Sequence, residues 1–234
     1  MINPNFSVKR ETLGNEGNLI VVVDDFLSDP EKLREEACRA GFRAPAMLSQ
    51  RKGYPGIRAP LPSESSALLI DELEGLIRRE FCLTDGLNSV QSTASFNLMT
   101  VPESELGPYQ TIPHFDTSKR NFFAALLYLC GEEHGGTAFY RHNSSGYESI
   151  TPQTSESYLD YCYTELNSKV IQKKYFSESD DYYTKIGFVS AKYNRLVIYK
   201  GALLHSANIL SSAGSISSDP RVGRLTQNSF LSFE

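Results

Sequence analysis

The stretch Pro113-His114-Phe115-Asp116 sets a histidine and an aspartate two positions apart. Side chains at i and i+2 of a strand share a face. His114 and Asp116 can therefore look into one interior while Phe115 packs on the other side. A third donor must come from a neighbouring strand, and His205 stands at the end of a strand-like run, Arg195–Leu204. Two imidazoles and one carboxylate on one side of a metal leave the opposite positions open, the donor set suited to non-haem Fe(II) that activates oxygen. Each signal is weak alone: a histidine with an aspartate two residues on is commonly a surface pair, and His205 by itself also reads as a satisfied core histidine.

Outward from PHFD, the chain after Ser89 has the texture of short strands. Val90–Met99, Thr111–Asp116, Phe122–Cys130, Thr137–Arg141, Arg195–Leu204 and Arg224–Phe233 are the runs, punctuated at Gly107–Pro108, Gly135–Gly136 and Asp219–Pro220. Ahead of them, Leu19–Phe26 is a short β-branched run and reads as a strand. A helix follows: Ser28 and Glu31 have capping-box spacing, Pro30 suits the first turn, and Leu33, Ala37 and Ala40 form a stripe. A second amphipathic helix covers about Ser66–Phe81, with Leu68, Leu69, Leu73, Leu76 and Ile77 on one side. Many short strands behind an initial helical portion predict a β-sandwich or barrel with helices packed on one face.

Two segments interrupt this plan. Ala44–Pro62, rich in Pro, Gly and Arg, reads either as a solvated connector or as a loop over a site mouth, with Arg51 or Arg58 meeting an acidic substrate group. Asn143–Lys192 is dense in tyrosine, and Ser155–Tyr175 has helical spacing. A segment this long between strands reads as a lid, as an interface, or as a helix covering the barrel surface.

The 234 residues suffice for one sizeable core. The formal net charge of −5 and the lack of a long basic run argue against nucleic acid as the main partner. Cys38, Cys82, Cys130 and Cys162 form no C-x-x-C and read as small hydrophobes of a reducing compartment. No run approaches a membrane span and the N-terminus shows no signal-peptide pattern, so a cytoplasmic protein is expected. Of the other histidines, His134 is expected to be solvated in a turn, and His142 to be close behind the site or to face substrate.

From about Ser95 to Phe233 the chain resembles the Fe(II)/2-oxoglutarate-dependent dioxygenases, nearest their prolyl-4-hydroxylase-like branch. The pieces that carry the resemblance are PHFD (Pro113–Asp116), LLYLCGEEHGGTAFYRH (Leu126–His142), RLVIYKGALLHSA (Arg195–Ala207) and RLTQNSFLSF (Arg224–Phe233). The N-terminal VVDDFLSDPEKL is also similar to the family's opening strand and helix. The resemblance implies a mainly β fold with packed helices around a double-stranded β-helix (jelly-roll, cupin-like) barrel core. It implies one domain, with residues 1–88 as support, 89–142 and 193–234 as barrel core, and 143–192 as an insertion and possible lid.

Carried over residue by residue, the resemblance puts the iron ligands on His114, Asp116 and His205 and the anchor for 2-oxoglutarate on Arg224, with Arg221 as its competitor. The far carboxylate of that cosubstrate needs a buried, permanently charged partner, and the planar fork of arginine matches it. Thr226 shares the strand face of Arg224 and can add a hydroxyl, while Tyr128 is either a further phenol for that carboxylate or a core tyrosine. Many relatives carry a tyrosine near the position of Asn97–Met99; none stands there, and Asn97 is the candidate substitute. The implied cofactors are Fe(II), 2-oxoglutarate and O2. The implied reaction hydroxylates a small molecule, amino acid or peptide with release of succinate and CO2. The competing expectation is a non-catalytic, cupin-like barrel that binds a metal or ligand.

Overall fold

The computed structural model describes residues 2–46, 53–168, 172–209 and 216–234. The chain opens with a hairpin, β1 (Ser7–Leu13) and β2 (Asn18–Asp24), then α1 (Pro30–Arg39), β3 (Gly56–Pro60), α2 (Ser63–Glu80) and β4 (Ser89–Met99). It continues through β5 (Phe122–Tyr128), β6 (Gly136–His142), α3 (Ser155–Ser168), β7 (Tyr183–Ser190), β8 (Leu196–Lys200), β9 (His205–Asn208) and β10 (Leu225–Phe233). A seven-stranded antiparallel sheet has the order β1-β2-β8-β5-β10-β4-β3, and a three-stranded one has the order β7-β6-β9. The two face each other as a jelly-roll core: Phe139 and Val189 of the small sheet pack with Leu126, Tyr128, Val197 and Tyr199 of the large one.

Strand periodicity explains the layers. In β5, Phe123, Ala125 and Leu127 point outward to meet Leu69, Leu73, Leu76 and Ile77 of α2, while Ala124, Leu126 and Tyr128 point inward. Because both faces are covered, β5 and β8 read as continuous apolar runs. In β10 the outward Leu225, Leu231 and Phe233 join the helical layer. Its inward residues, from Arg224 just before the strand through Thr226 and Asn228, are polar and buried. The arm of Asp24 to Arg195 (2.6 and 3.0 Å) ties β2 to the start of β8 and holds the Asp24 carboxyl down at about 2.

Several expectations are corrected. The run Arg195–Leu204 is not one strand: β8 ends at Lys200, the chain crosses between sheets, and His205 begins β9. The run looks continuous because each half is buried. Thr111–Asp116 makes only one ladder contact, His114 opposite His205. The Ala44–Pro62 loop contains β3, paired to β4. Tyr183–Ser190, inside the stretch read as an insertion, is β7 at the edge of the small sheet. The first helix is capped by Asp29, accepting from Lys32 N, one residue later than Ser28. Cys82 is exposed and Cys38 partly so, while Cys130 and Cys162 are buried; none of the four is in a disulfide. Leu68 lies on the exposed side of α2. Among the described residues no helix is long and apolar enough to cross a membrane.

Helix α3 lies behind the small sheet. Its Tyr158 and Cys162 pack with Ala138, Tyr140, Tyr183 and Leu204, and Tyr158 meets Phe115 at 5.8 Å. That is the side opposite the one His114 and Asp116 face. His142 is fully buried there, bonded to Ser145 Oγ (2.8 Å) and to both Glu165 oxygens (3.1 Å), so it fastens α3 to β6 and serves neither of its expected places.

Candidate functional site

His114 and His205 are directly opposed across the two strands, each N–H donating to the other's carbonyl at 2.8 Å. This brings the ring centroids to 4.3 Å. Asp116 is set by a separate bond, its N–H donating to Gly201 O at 2.7 Å. The turn can come this close because residue 201 is glycine: a Cβ there would sit 2.6 Å from Phe122 Cδ1 and 3.2 Å from Asp116 Cβ. One donor atom from each of His114, Asp116 and His205 lies within 4.8 Å of the other two. Backbone pairing thus joins residues some ninety positions apart in sequence, to the spacing a single ion needs.

The protonation of the three suits a cation. Burial pushes His205 down to about 4, against the bond its Nδ1 makes to Leu203 O at 2.8 Å. With the proton placed on Nδ1 to donate that bond, Nε2 keeps its lone pair for a ligand. Desolvation also lowers His114 to about 4, helped by His205 and opposed by Asp116. Desolvation raises Asp116 to about 6, with His114 and Arg58 working against it. Both imidazoles are therefore neutral and the carboxylate ionised at pH 7. His205 is buried, whereas His114 and Asp116 stand at the open side.

A second feature is linked to the first through Tyr199. Arg224 is 2% exposed, donates one bond to Gly136 O (3.0 Å), and makes no ion pair among the described residues. Among the described residues its Nε has no partner, nor has the buried Thr226 hydroxyl. The guanidinium carbon lies 5.6 Å from the Tyr128 ring, and the Tyr128 hydroxyl meets Thr137 Oγ1 at 2.6 Å. Burial raises the Tyr128 phenol, opposed by Arg224. Tyr199 joins the two parts: its ring is 4.8 Å from that of His205, and its phenol, raised by burial, lies in the fields of both Asp116 and Arg224. An unpaired buried cation costs several kcal/mol unless an anion meets it.

Sequence reasoning missed Tyr54 and Tyr199. Tyr54 brings a buried hydroxyl without a partner among the described residues, which burial pushes up to about 12 against the field of Arg224. It comes from the Ala44–Pro62 segment, where a lone aromatic after Gly53 carries no periodic signal. Asn97 is fully buried on β4, opposite Arg58 and Thr226. Its amide is assigned with the oxygen accepting from Arg58 Nε at 3.1 Å. Arg221 is exposed at the surface, and its carbonyl is bonded by Arg34 of α1. His134 is buried rather than solvated, and desolvation lowers its pKa. Arg51 lies outside the described residues.

Comparison with known proteins places these features in context. A model described as "Family of unknown function (DUF6445)" matches residues 4–231. The curated proteins contain no match. Among solved structures, HygX from Streptomyces hygroscopicus with nickel, 2-oxoglutarate and hygromycin B bound is 15% identical, covering 91% of this chain and 82% of that one, at a TM-score of 0.47. An N-substituted L-amino acid dioxygenase from Burkholderia ambifaria in complex with alpha-KG is 12% identical over 94% of this chain and 82% of its own, at 0.38. SnoN, a non-heme alpha ketoglutarate dependent epimerase from nogalamycin biosynthesis, is 13% identical over 88% and 83%, at 0.35.

Proposed function

The chain belongs to the DUF6445 family, whose description names no activity, and on that premise we propose that it is a non-haem Fe(II)- and 2-oxoglutarate-dependent oxygenase. The observation that carries this reading is Arg224, a fully buried cation without a carboxylate among the described residues, linked through Tyr199 to a two-histidine, one-carboxylate cluster. A metal site alone needs only the cluster. A cofactor that chelates the metal through one end and carries a second carboxylate at the other needs both.

The residues fit that pair of ligands. His114, Asp116 and His205 would hold Fe(II), leaving the positions away from the three donors open. Arg224 would take the far carboxylate through its free Nε, with the Thr226 and Tyr54 hydroxyls as further donors and Tyr128 packed against the guanidinium. The bound iron and 2-oxoglutarate would supply oxidative chemistry with O2, yielding succinate, CO2 and a hydroxylated small-molecule, amino-acid or peptide product. The protein's share is orientation and dryness: Tyr199 walls the His205 side, and the inner apolar cluster closes the barrel behind it.

The test is spectroscopic. Fe(II) and 2-oxoglutarate added without oxygen should give the weak visible charge-transfer band of the chelate, and admission of air should release succinate. His114→Ala or Asp116→Ala should remove both signals. Wild-type protein that shows no band under saturating iron and cosubstrate would leave only a metal- or ligand-binding barrel.

A further inference from the structure

At the free edge of the large sheet, beyond β3, Arg43 and Arg58 form a two-way backbone pair, N to O at 2.8 and 2.9 Å. Directly opposed residues of an antiparallel pair carry their side chains to the same face. Two like charges in such a pair repel each other and are normally avoided. Here both arginines are exposed, and neither makes an ion pair among the described residues. They line a groove of about 750 Å³ with Arg39, Pro60 and Leu61, whose one carboxylate, Glu36, accepts a bond from Ser65.

This edge is continuous with the site. Arg58, Asn97, Thr226 and Tyr128 form one row across β3, β4, β10 and β5, all on the barrel's inward face. The Arg58 guanidinium lies 5.0 Å over the Tyr54 ring, and the Tyr54 hydroxyl lies in the field of Arg224. The Nε of Arg58 is used by Asn97, which aims the side chain and leaves the outer nitrogens of the fork free.

We infer that the substrate of this protein carries an anionic group, a phosphate or a carboxylate, held by Arg43 and Arg58 at the edge of the barrel mouth. The inference rests on the oxygenase reading for the word substrate. Anion binding at the pair can be tested separately. A planar guanidinium pair can offer an oxyanion several parallel N–H donors, and a group so held would leave the remainder of the molecule to reach toward His114 and Asp116. The electrostatic repulsion stored in the cross-strand pair is relieved when the anion binds.

The probes are phenyl phosphate, phenylacetate and, as the neutral control, benzyl alcohol. Each is titrated calorimetrically into protein already loaded with Fe(II) and 2-oxoglutarate under argon, so that the buried Arg224 is taken. We expect at least one of the two anions to bind with a Kd below about 10 mM, benzyl alcohol not to bind, and the visible chelate band to shift as the anion binds. Arg43→Gln with Arg58→Gln should weaken that anion by roughly tenfold or more. Comparison of the two anions separates phosphate from carboxylate. Failure of both anions to bind, binding no tighter than benzyl alcohol, or an affinity unchanged in the double variant overturns the inference, even where the chelate band is intact. Absence of the band alone overturns the oxygenase reading, and the titration then still decides whether the pair binds anions.

Discussion

Arg224 concentrates the energetics of the site in one side chain. A guanidinium at 2% exposure with an unpartnered Nε is a cost to the ligand-free protein. Arg224→Met should therefore leave the metal-free melting temperature unchanged or raise it, while weakening 2-oxoglutarate by about 2–5 kcal/mol. A loss of stability together with unchanged cosubstrate affinity would make the arginine a structural group. Protons compete with metal at the same scale. In the metal-free protein Asp116 is raised to about 6 and both histidines are lowered to about 4. Above pH 7 the three donors need lose no proton, so metal affinity should be flat there. It should fall by about tenfold per unit as pH drops below 6, as one proton is displaced from Asp116, and faster still below 4. The sign for stability is the reverse for the carboxyl: its folded value lies above its unfolded one, so without metal its ionisation costs stability as pH rises from about 4 through 6. Competition titrations with a chromophoric chelator across pH 5–8 measure the first effect, and a flat profile would contradict it.

Elements position these groups through backbone contacts, and the least replaceable is the turn after β8. Gly201 accepts the N–H of Asp116 while leaving room for its Cβ. Gly201→Ala should displace Asp116 and reduce metal affinity at least tenfold, with helix and sheet content kept; crystallography or metal titration of the variant checks it. An unchanged affinity would show that the contact with Phe122 is relieved elsewhere. Element boundaries also mark how far local pattern reaches. The buried runs of β5 and β8 were legible because apolar, β-branched stretches bounded by turn residues have few other uses. The crossing between β8 and β9 was not legible, because a run buried on both sides does not reveal a change of sheet. The strand β3 was hidden by its own composition, Gly56 to Pro60, and is held in place by pairing with β4.

At the scale of the whole molecule, the two sheets hold the candidate metal donors and Arg224 on one interior, so ligands should stabilise the chain as a unit. Fe(II) or its redox-silent substitute Ni(II), with 2-oxoglutarate at 100 times its Kd, should add about 2.7 kcal/mol for each ligand that binds only the folded state. For a chain of this size that corresponds to a rise in Tm of roughly 5–10 °C for each ligand, read by differential scanning calorimetry. An absent shift would mean that the cavity does not take the ligands.

The sequence by itself determined the ingredients: a β-rich chain with two supporting helices, the H-x-D pair, a distant histidine, and an arginine opening the last strand. These are readable because strand alternation and side-chain chemistry are local properties. Only the tertiary structure decided which residues share a space. Antiparallel pairing put His205 opposite His114, the sheet order set Arg224 beside Tyr128, and the β3 segment carried Tyr54 and Arg58 to the mouth. It also moved His142 out of the site and Arg221 to the surface. Such neighbourhoods depend on contacts between residues far apart in the chain, which no short window of sequence contains.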